Sequence, residues 1–231
     1  MSKQIPISFE FFPTKTDAGA EKLITVHKEL QLLNPEFFSV TYGAGGSTRE
    51  RTLSTLNDFN GKGTPVAPHL SCIGDSKERI AELLDLYKSQ GIDRIVALRG
   101  DLPSGQVGLG ELPYAQDLVH FIREHSGDHF HIEVAAYPEM HPQADSFDQD
   151  IQRFCEKANA GANAALTQFF FNPDAYFYFV DRIQREGVNI PVAPGIMPIT
   201  NASNLIRFAD GTGAEVPRWI RKQLATYGDD T

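Results

Sequence analysis

The sequence has 231 residues, 41% of them hydrophobic, which is enough to bury the core of one large α/β domain. Its formal net charge of -9 argues against nucleic acid or an anionic membrane as a main partner. The cysteines Cys72 and Cys155 form no CxxC or Cys/His cluster, which argues against structural zinc and fits a reduced, cytoplasmic protein. No signal peptide or apolar run of transmembrane length is visible, so we expect no membrane association.

Short apolar runs alternate with amphipathic patterns along the chain. In chain order the sequence predicts strand 5–12, helix 18–33, strands 37–43 and 65–72, helix 76–90, strand 94–101, helix 112–126, strand 131–137, helix 147–160, strand 164–171, helix 173–186, strand 191–197 and helix 202–210. Ser76 and Pro173 suit helix starts, and Gly91 suits a helix end. Most of the strands are apolar on both faces, which is typical of a parallel sheet covered by helices.

This repeated order favours one α/β domain over residues 1–231, a (β/α)8 TIM barrel. A doubly wound open sheet is the alternative, although no G-x-G-x-x-G follows the first strand. The eighth strand is missing from the pattern, because the residues after Met197 indicate helix and loop, including 217–225. A barrel without that strand leaves two strand edges unpaired.

Most of the predicted strands end in polar or ionisable residues, and in a barrel those ends meet on the face where active sites form. The ends carry Glu10, residues 41–43, His69, residues 99–101, residues 137–139, Gln168 and residues 194–195. The alternative explanation is that polar residues simply begin where strands end, without forming a site. For so many ends together we favour a site.

Glu10 lies among the phenylalanines of the sequence SFEFFP. Poor solvation there should raise the pKa of its carboxyl, which suits a general acid working near neutral pH. The alternative is a strand-end glutamate paired with an arginine or lysine.

Arg99, Gly100 and Asp101 follow a predicted buried strand. Arg99 could hold an anion, Gly100 could let a ligand approach the backbone, and Asp101 could stabilise positive charge on a reacting ring. An internal ion pair between Arg99 and Asp101 is the alternative.

Further candidates are a buried amide, two histidines and the cysteines. Gln168 needs a hydrogen-bond partner if it is buried, and the edge of a heterocycle would provide one. His69 and His141 could bind a metal, but no ligand spacing supports this, so we expect no metal and favour hydrogen bonds. Cys72 and Cys155 are expected to be unreactive.

Seven motifs occur in series: SFEFFP, FFSVTYGAGG, APHLSC, IVALRGDLP, AAYPEMHP, GANAALTQFFF and PGIMPIT. Together they resemble bacterial-type methylenetetrahydrofolate reductase, from Ile5 to about Trp219. The resemblance implies a barrel that binds FAD and reduces 5,10-methylenetetrahydrofolate to 5-methyltetrahydrofolate with NADH or NADPH. It implies a ping-pong order, in which the nicotinamide reduces the flavin before the folate takes the hydride, and it implies a homo-oligomer.

The resemblance also implies roles for individual residues. Glu10 would be the general acid, and Asp101 would lie near the flavin and the pterin. The substrate residues would be Glu10, Asp101, Gln168, Asn204 and Phe208. The residues that would bind FAD are Thr41, Tyr42, Ala44, His69, Arg99, Gly100, Asp101, Ala115, Tyr137, His141, Ala144, Asp150, Arg153 and Lys157. Arg153 and Glu156 stand where other polar types are expected, although Arg153 could meet a phosphate.

The sequence departs from the family pattern in length, since family members continue with a helix, an eighth strand and a last helix. The given chain could be part of a longer protein, a partner chain could close the barrel, or this could be a shortened relative that binds flavin poorly. We favour the first, because unpaired strands at a barrel seam are costly.

A degenerate, non-catalytic flavin-binding barrel is the alternative function. A metal- or Schiff-base-dependent lyase ranks lower, because no lysine ends a predicted strand.

Overall fold

The computed structural model describes residues 5–42, 46–101 and 108–228. The elements alternate along the chain as β1 (Ser8–Phe11), α1 (Asp17–Gln31), β2 (Phe37–Val40), α2 (Gly46–Phe59), β3 (Val66–Ser71), α3 (Lys77–Ser89), β4 (Arg94–Leu98), α4 (Ala115–Ser126), β5 (His131–Ala136), α5 (Phe147–Asn159), β6 (Ala164–Thr167), α6 (Pro173–Arg185), β7 (Val192–Ala193), α7 (Ala202–Thr212) and α8 (Arg218–Tyr227). None of these helices is long and apolar enough to cross a membrane, as far as the described residues extend.

The strands form a sheet in their sequence order, from β1 to β7. The pairs β1–β2, β2–β3, β3–β4 and β6–β7 are parallel. This confirms the predicted α/β fold class, with the repeating units of a TIM barrel. The described residues after β7 form α7 and α8 and contain no eighth strand, as the sequence pattern predicted.

The chain divides into two compact units, Met1–Glu133 and Val134–Thr231, which we call unit 1 and unit 2. In unit 1, buried side chains from strands and helices form the core, among them Phe38, Phe59, Leu70 and Tyr87. In unit 2, one apolar cluster joins the end of β6 to the last helices and contains Phe169, Leu205, Ala209, Ala214, Val216, Ile220 and Leu224. The single domain expected from the sequence stays a prediction.

Helix α2 was not predicted from the sequence. Its inward face includes Thr52 and Thr55, which are buried beside Leu56 and Phe59, so the apolar period is interrupted by hydroxyls. Both hydroxyls are satisfied: Thr52 Oγ1 donates to the carbonyl of Thr41 (3.0 Å), and Thr55 Oγ1 donates to the carbonyl of Arg51 (2.9 Å). Polar residues that bond to backbone carbonyls can therefore face a core without an apolar pattern.

The predicted helix starts and end are confirmed. Ser76 caps α3, because its hydroxyl accepts the backbone N–H of Arg79 (3.2 Å). Gly91 follows α3 with φ of 73°, a conformation that favours glycine. Pro173 lies in the first turn of α6.

Every predicted strand was too long, and the predicted strand 191–197 is the clearest error, because only Val192–Ala193 pairs. Pro194 has no N–H to donate. The N–H of Gly195 donates to the side-chain Oγ1 of Thr167 (2.8 Å) and not to a strand backbone. The strand therefore ends inside an apolar run, because neither Pro194 nor Gly195 donates a backbone hydrogen bond to a neighbouring strand.

Candidate active site

In unit 1, Glu10 of β1 and His69 of β3 lie together. Oε2 of Glu10 is 3.4 Å from Nε2 of His69. The two residues come from alternate strands, the arrangement that places side chains in one layer of a parallel barrel. The side chain of His69 is only 8% exposed, while that of Glu10 is 47% exposed. Glu10 is therefore open to solvent on one side and His69 is not.

Burial shifts the pKa values of these two groups in opposite directions. Loss of solvation raises the pKa of Glu10, as the sequence predicted, even though part of the side chain contacts water. Burial lowers the pKa of His69 to about 4, so the imidazole is neutral at pH 7. A neutral ring does not hold the Glu10 carboxyl in its charged form. Among the described residues, no lysine or arginine pairs with Glu10, which argues against the structural alternative.

The segment Arg99–Gly100–Asp101 follows β4 in unit 1. The carbonyl of Arg99 accepts hydrogen bonds from Ser71 Oγ (2.8 Å) and from the N–H of Ile73 (2.9 Å). Gly100 has φ of 84°, and a Cβ there would overlap Ser71 Oγ. The glycine is thus required by the packing of the chain itself. Asp101 is exposed.

Other predicted cofactor residues of unit 1 lie at the ends of elements. Thr41 directly follows β2, and its N–H donates to the carbonyl of Phe11 (2.9 Å). Tyr42 is half-buried. Ala115 begins α4, whose start is held by the N–H of Tyr114 donating to Asp117 Oδ2 (2.9 Å). Ala44 lies outside the described residues.

In unit 2, the loop after β5 brings the rings of Tyr137 and His141 together, with their centroids 4.5 Å apart and edge to face. Asp150 Oδ2 accepts the backbone N–H of His141 (2.8 Å), which ties the loop to the first turn of α5. Nδ1 of His141 accepts the N–H of Gln143 (3.0 Å), and the carbonyl of His141 accepts the N–H of Ala144 (2.9 Å). The bond to Nδ1 fixes the ring tautomer, with Nε2 carrying the proton when His141 is neutral.

Two basic side chains of α5 have different environments. Lys157 Nζ donates to the carbonyl of Ala135 (2.5 Å). Burial lowers the pKa of Lys157 to about 8, opposed by the charge of Asp150. Lys157 is therefore mainly charged at pH 7. Arg153 is exposed and lies 3.7 Å from Oε2 of Glu156.

The predicted substrate residues of unit 2 lie directly after β6 and on α7. Gln168 directly follows β6, and its Oε1 accepts the N–H of Phe169 (3.0 Å). The ring of Phe169 stacks on that of Phe208, with centroids 5.7 Å apart. Phe208 is 42% exposed. Asn204, one turn earlier on α7, is exposed and accepts a hydrogen bond from Arg207 Nη2 (3.0 Å).

A further glutamate, Glu139, was noted in the sequence only as part of a strand end. Its Oε2 accepts the N–H of Glu215 (2.8 Å), whereas its Oε1 is buried and has no hydrogen-bond partner within the described part of the chain. Burial raises the pKa of this carboxyl; the hydrogen bond from the Glu215 N–H opposes the rise, and the charge of Glu215 adds to it. Its position between the prolines of YPEMHP was the signal in the sequence.

The cysteines match the expectation of unreactive thiols. Burial raises the pKa of Cys72 to about 12 and also raises that of Cys155, so neither is a ready nucleophile. Within the described residues, no group of three or more histidine, cysteine, aspartate or glutamate side chains could hold a metal ion.

Known proteins resemble this chain over nearly its whole length. Residues 1–231 match the family described as methylenetetrahydrofolate reductase. The 5,10-methylenetetrahydrofolate reductase of Pectobacterium carotovorum subsp. carotovorum is 44% identical over 98% of this chain and 75% of its own length. The Escherichia coli (strain K12) enzyme of the same name is 41% identical over 98% of this chain and 76% of its own length.

A solved structure shows the same fold. It is a Clostridium thermocellum protein that binds two copies of 5-methyl-5,6,7,8-tetrahydrofolic acid. It matches with a TM-score of 0.66 and 16% identity, over 97% of this chain and 76% of its own. At that identity the likeness supports the fold alone. The family match and the bacterial relatives show more, and this chain belongs to the methylenetetrahydrofolate reductase family.

Proposed function

We propose that the protein reduces 5,10-methylenetetrahydrofolate to 5-methyltetrahydrofolate in a ping-pong reaction, with FAD as its cofactor and NADH or NADPH as its electron donor. Family membership supports the folate reduction. The observation that carries the chemistry is the pairing of Glu10, whose pKa is raised by burial, with a neutral His69 at 3.4 Å. A carboxylic acid that keeps its proton nearer to neutral pH is what this reaction needs.

The side chains present in each unit fit a flavin. In unit 1, Nε2 of His69 is buried and has no hydrogen-bond partner among the described residues. In unit 2, Lys157 offers an ammonium group that donates to the carbonyl of Ala135 and has further N–H donors without a partner in residues 5–42, 46–101 and 108–228, which suits a phosphate. When bound, FAD supplies hydride transfer between the nicotinamide and the folate.

Glu10 acts on the folate. It holds a proton and gives it to the bridging nitrogen of the substrate, so that the methylene bridge opens to an iminium cation. Asp101, an exposed carboxylate after β4, stabilises that positive charge. The proton is replaced from solvent, to which nearly half of the Glu10 side chain is exposed.

Residues of α7 and the residue directly after β6 bind the planar part of the substrate. The amide of Gln168 hydrogen bonds to the pterin edge, because its Oε1 is held by Phe169 and its NH2 has no hydrogen bond within the described part of the chain. Phe208 offers an exposed aromatic face, and Asn204 lies one turn away on the same helix.

We also propose that the protein is cytoplasmic and assembles as a homo-oligomer. The absence of a disulfide between the two free cysteines supports a cytoplasmic location. The resemblance to methylenetetrahydrofolate reductases supports a homo-oligomer. Sedimentation of the purified protein checks the assembly.

Spectroscopy of the purified protein tests the proposed function. We expect a yellow protein, or a colourless one that becomes yellow on binding added FAD. Anaerobic NADH or NADPH should bleach the flavin band, and methylenetetrahydrofolate should restore it. A protein that binds no FAD would overturn the proposal. A flavin that is bleached but not restored by the folate would indicate the non-catalytic alternative.

A further inference from the structure

Glu139 fastens the loop between α7 and α8 to the loop after β5. Its Oε2 accepts the backbone N–H of Glu215 at 2.8 Å. A second contact lies beside it, where Gly213, with φ of 75°, packs so closely that a Cβ would lie 3.0 Å from Cγ of Pro142. A carboxylate bond to a backbone N–H is charge-assisted and strong. The two loops of unit 2 are therefore held together at adjacent points.

Glu139 lines a narrow cleft in unit 2. Gln168, Phe169 and residues 212–214 line the same cleft. The cleft has a volume of about 10 Å³, which is room for about one water molecule. Oε1 of Glu139 is buried without a hydrogen-bond partner among the described residues, which is unfavourable unless it receives a donor.

Gln168 presents the complementary group. Its Oε1 must face the N–H of Phe169, because that N–H is a donor, so the NH2 group of the amide points elsewhere. The NH2 of Gln168 can donate two hydrogen bonds, and the described part of the chain accepts neither of them. Both residues line the cleft, and among the described residues Glu139 has an acceptor and Gln168 a donor group without a hydrogen-bond partner.

Helix α7 connects this cleft to the exposed ring of Phe208. Phe208 stacks on Phe169, the residue that fixes the Gln168 amide. At its other end, α7 leads into the loop that Glu139 holds at Glu215. Releasing that loop would loosen α7 and the Gln168 amide together.

We propose that Glu139 is a positioning residue for the folate: Oε2 holds the α7–α8 loop, and Oε1 accepts the NH2 of Gln168, directly or through one water. Glu139 thereby sets the direction in which the second hydrogen of that NH2 meets the pterin edge. This role rests on the proposed function of Gln168.

A double-mutant cycle on the flavin-loaded protein tests the link. The variants E139A and E139Q should each raise the half-saturating concentration of methylenetetrahydrofolate about tenfold, the loss of one hydrogen bond to a charged group. Flavin content and the rate of reduction by the nicotinamide should stay within about twofold. In the Q168A background, E139A should have a clearly smaller effect than in the wild-type background, because only the anchoring of the α7–α8 loop is then left to lose. Full additivity of the two substitutions would overturn the proposal.

E139Q distinguishes a loss of the positioning hydrogen bonds from a general loss of folding, because glutamine has nearly the same shape as glutamate. A glutamine can accept the N–H of Glu215 or the NH2 of Gln168, but it then directs its own NH2 at the other donor. The matched control is E215A, which keeps the backbone N–H that Glu139 accepts and should leave folate binding unchanged.

NMR tests the link between Glu139 and Gln168 without measuring turnover. In E139A, the amide hydrogen of Glu215 should exchange at least about tenfold faster, and the side-chain NH2 signals of Gln168 should shift. If methylenetetrahydrofolate fails to reoxidise the wild-type flavin while these signals respond, the proposed function is wrong and the Glu139–Gln168 link stands. Unchanged signals in a folded E139A protein would overturn the link.

Discussion

Nε2 of His69 lies 3.4 Å from Oε2 of Glu10, yet it has no hydrogen-bond partner among the described residues, and its ring is neutral at pH 7. A protonated imidazole at this distance would lower the pKa of Glu10 and favour the carboxylate. The neutral ring leaves the effect of burial on Glu10 uncompensated. The lowered pKa of His69 is thus a condition for Glu10 to act as an acid.

His69 should make the protein sensitive to acid. Its pKa falls from 6.5 to about 4 on folding, so below pH 6.5 the unfolded chain binds a proton that the folded chain does not. Stability is therefore lost as the pH falls from about 6.5 towards 4. Between pH 7 and pH 5 this one group should lower the free energy of unfolding by about 2 kcal/mol. H69Q should lose that dependence, as measured by urea denaturation at both pH values.

The control for this measurement is H120Q, because the side chain of His120 is 67% exposed on α4. Some sensitivity should persist in H69Q, since burial also lowers the pKa of His27. An H69Q protein with the full wild-type pH dependence would contradict the assignment.

Gly100 should not tolerate a side chain, for two separable reasons. A Cβ at Gly100 would overlap Ser71 Oγ, and its φ of 84° disfavours any other residue. We expect G100A to lower the free energy of unfolding by about 3 kcal/mol. The double variant G100A/S71A should recover part of that loss, because it removes the overlap and keeps the backbone strain.

G187A isolates the backbone strain. Gly187 has φ of 86°, and no atom of the described residues lies within 4 Å of a Cβ built there. We expect G187A to lower the free energy of unfolding by about 1 kcal/mol, as measured by chemical denaturation. If G100A lowers the free energy of unfolding no more than G187A does, the overlap with Ser71 is absent.

Lys157 should make FAD binding depend on pH. Its pKa of about 8 means that the ammonium is lost as the pH rises through that value. If the charged form contacts the cofactor, the Kd for FAD should rise roughly tenfold between pH 7 and pH 9. K157M should bind FAD weakly at both pH values. The exposed Lys28 provides a matched control, and K28M should follow the wild type.

The strand–helix order, the raised pKa of Glu10 and the unreactive cysteines could all be predicted from the sequence, because each depends on local composition. The close approach of His69 to Glu10 could not, since it depends on the register of strands far apart in sequence. Gly100 illustrates the same limit. The approach of a ligand to its backbone stays a prediction, whereas the overlap of a Cβ there with Ser71 Oγ depends on the packing of β3 against the end of β4 and could not be predicted.

The missed helix α2 and the shortened strand β7 have a common cause. In both places side chains hydrogen bond to the backbone, through Thr52 in α2 and through Thr167 beside β7. Such bonds carry no periodic signal, so hydrophobic pattern alone misplaces the boundaries.

The central claim is that Glu10 is the acid for the folate step only, and single-turnover measurement of the two half-reactions in E10Q tests it most directly. A general acid contributes about 10² to 10⁴ in rate. We predict that E10Q is reduced by the nicotinamide at close to the wild-type rate, while reoxidation of its flavin by methylenetetrahydrofolate slows at least about a hundredfold. E21Q, at an exposed position of α1, should match the wild type in both steps. Equal losses in the two half-reactions of E10Q, or none in the second, would contradict the account.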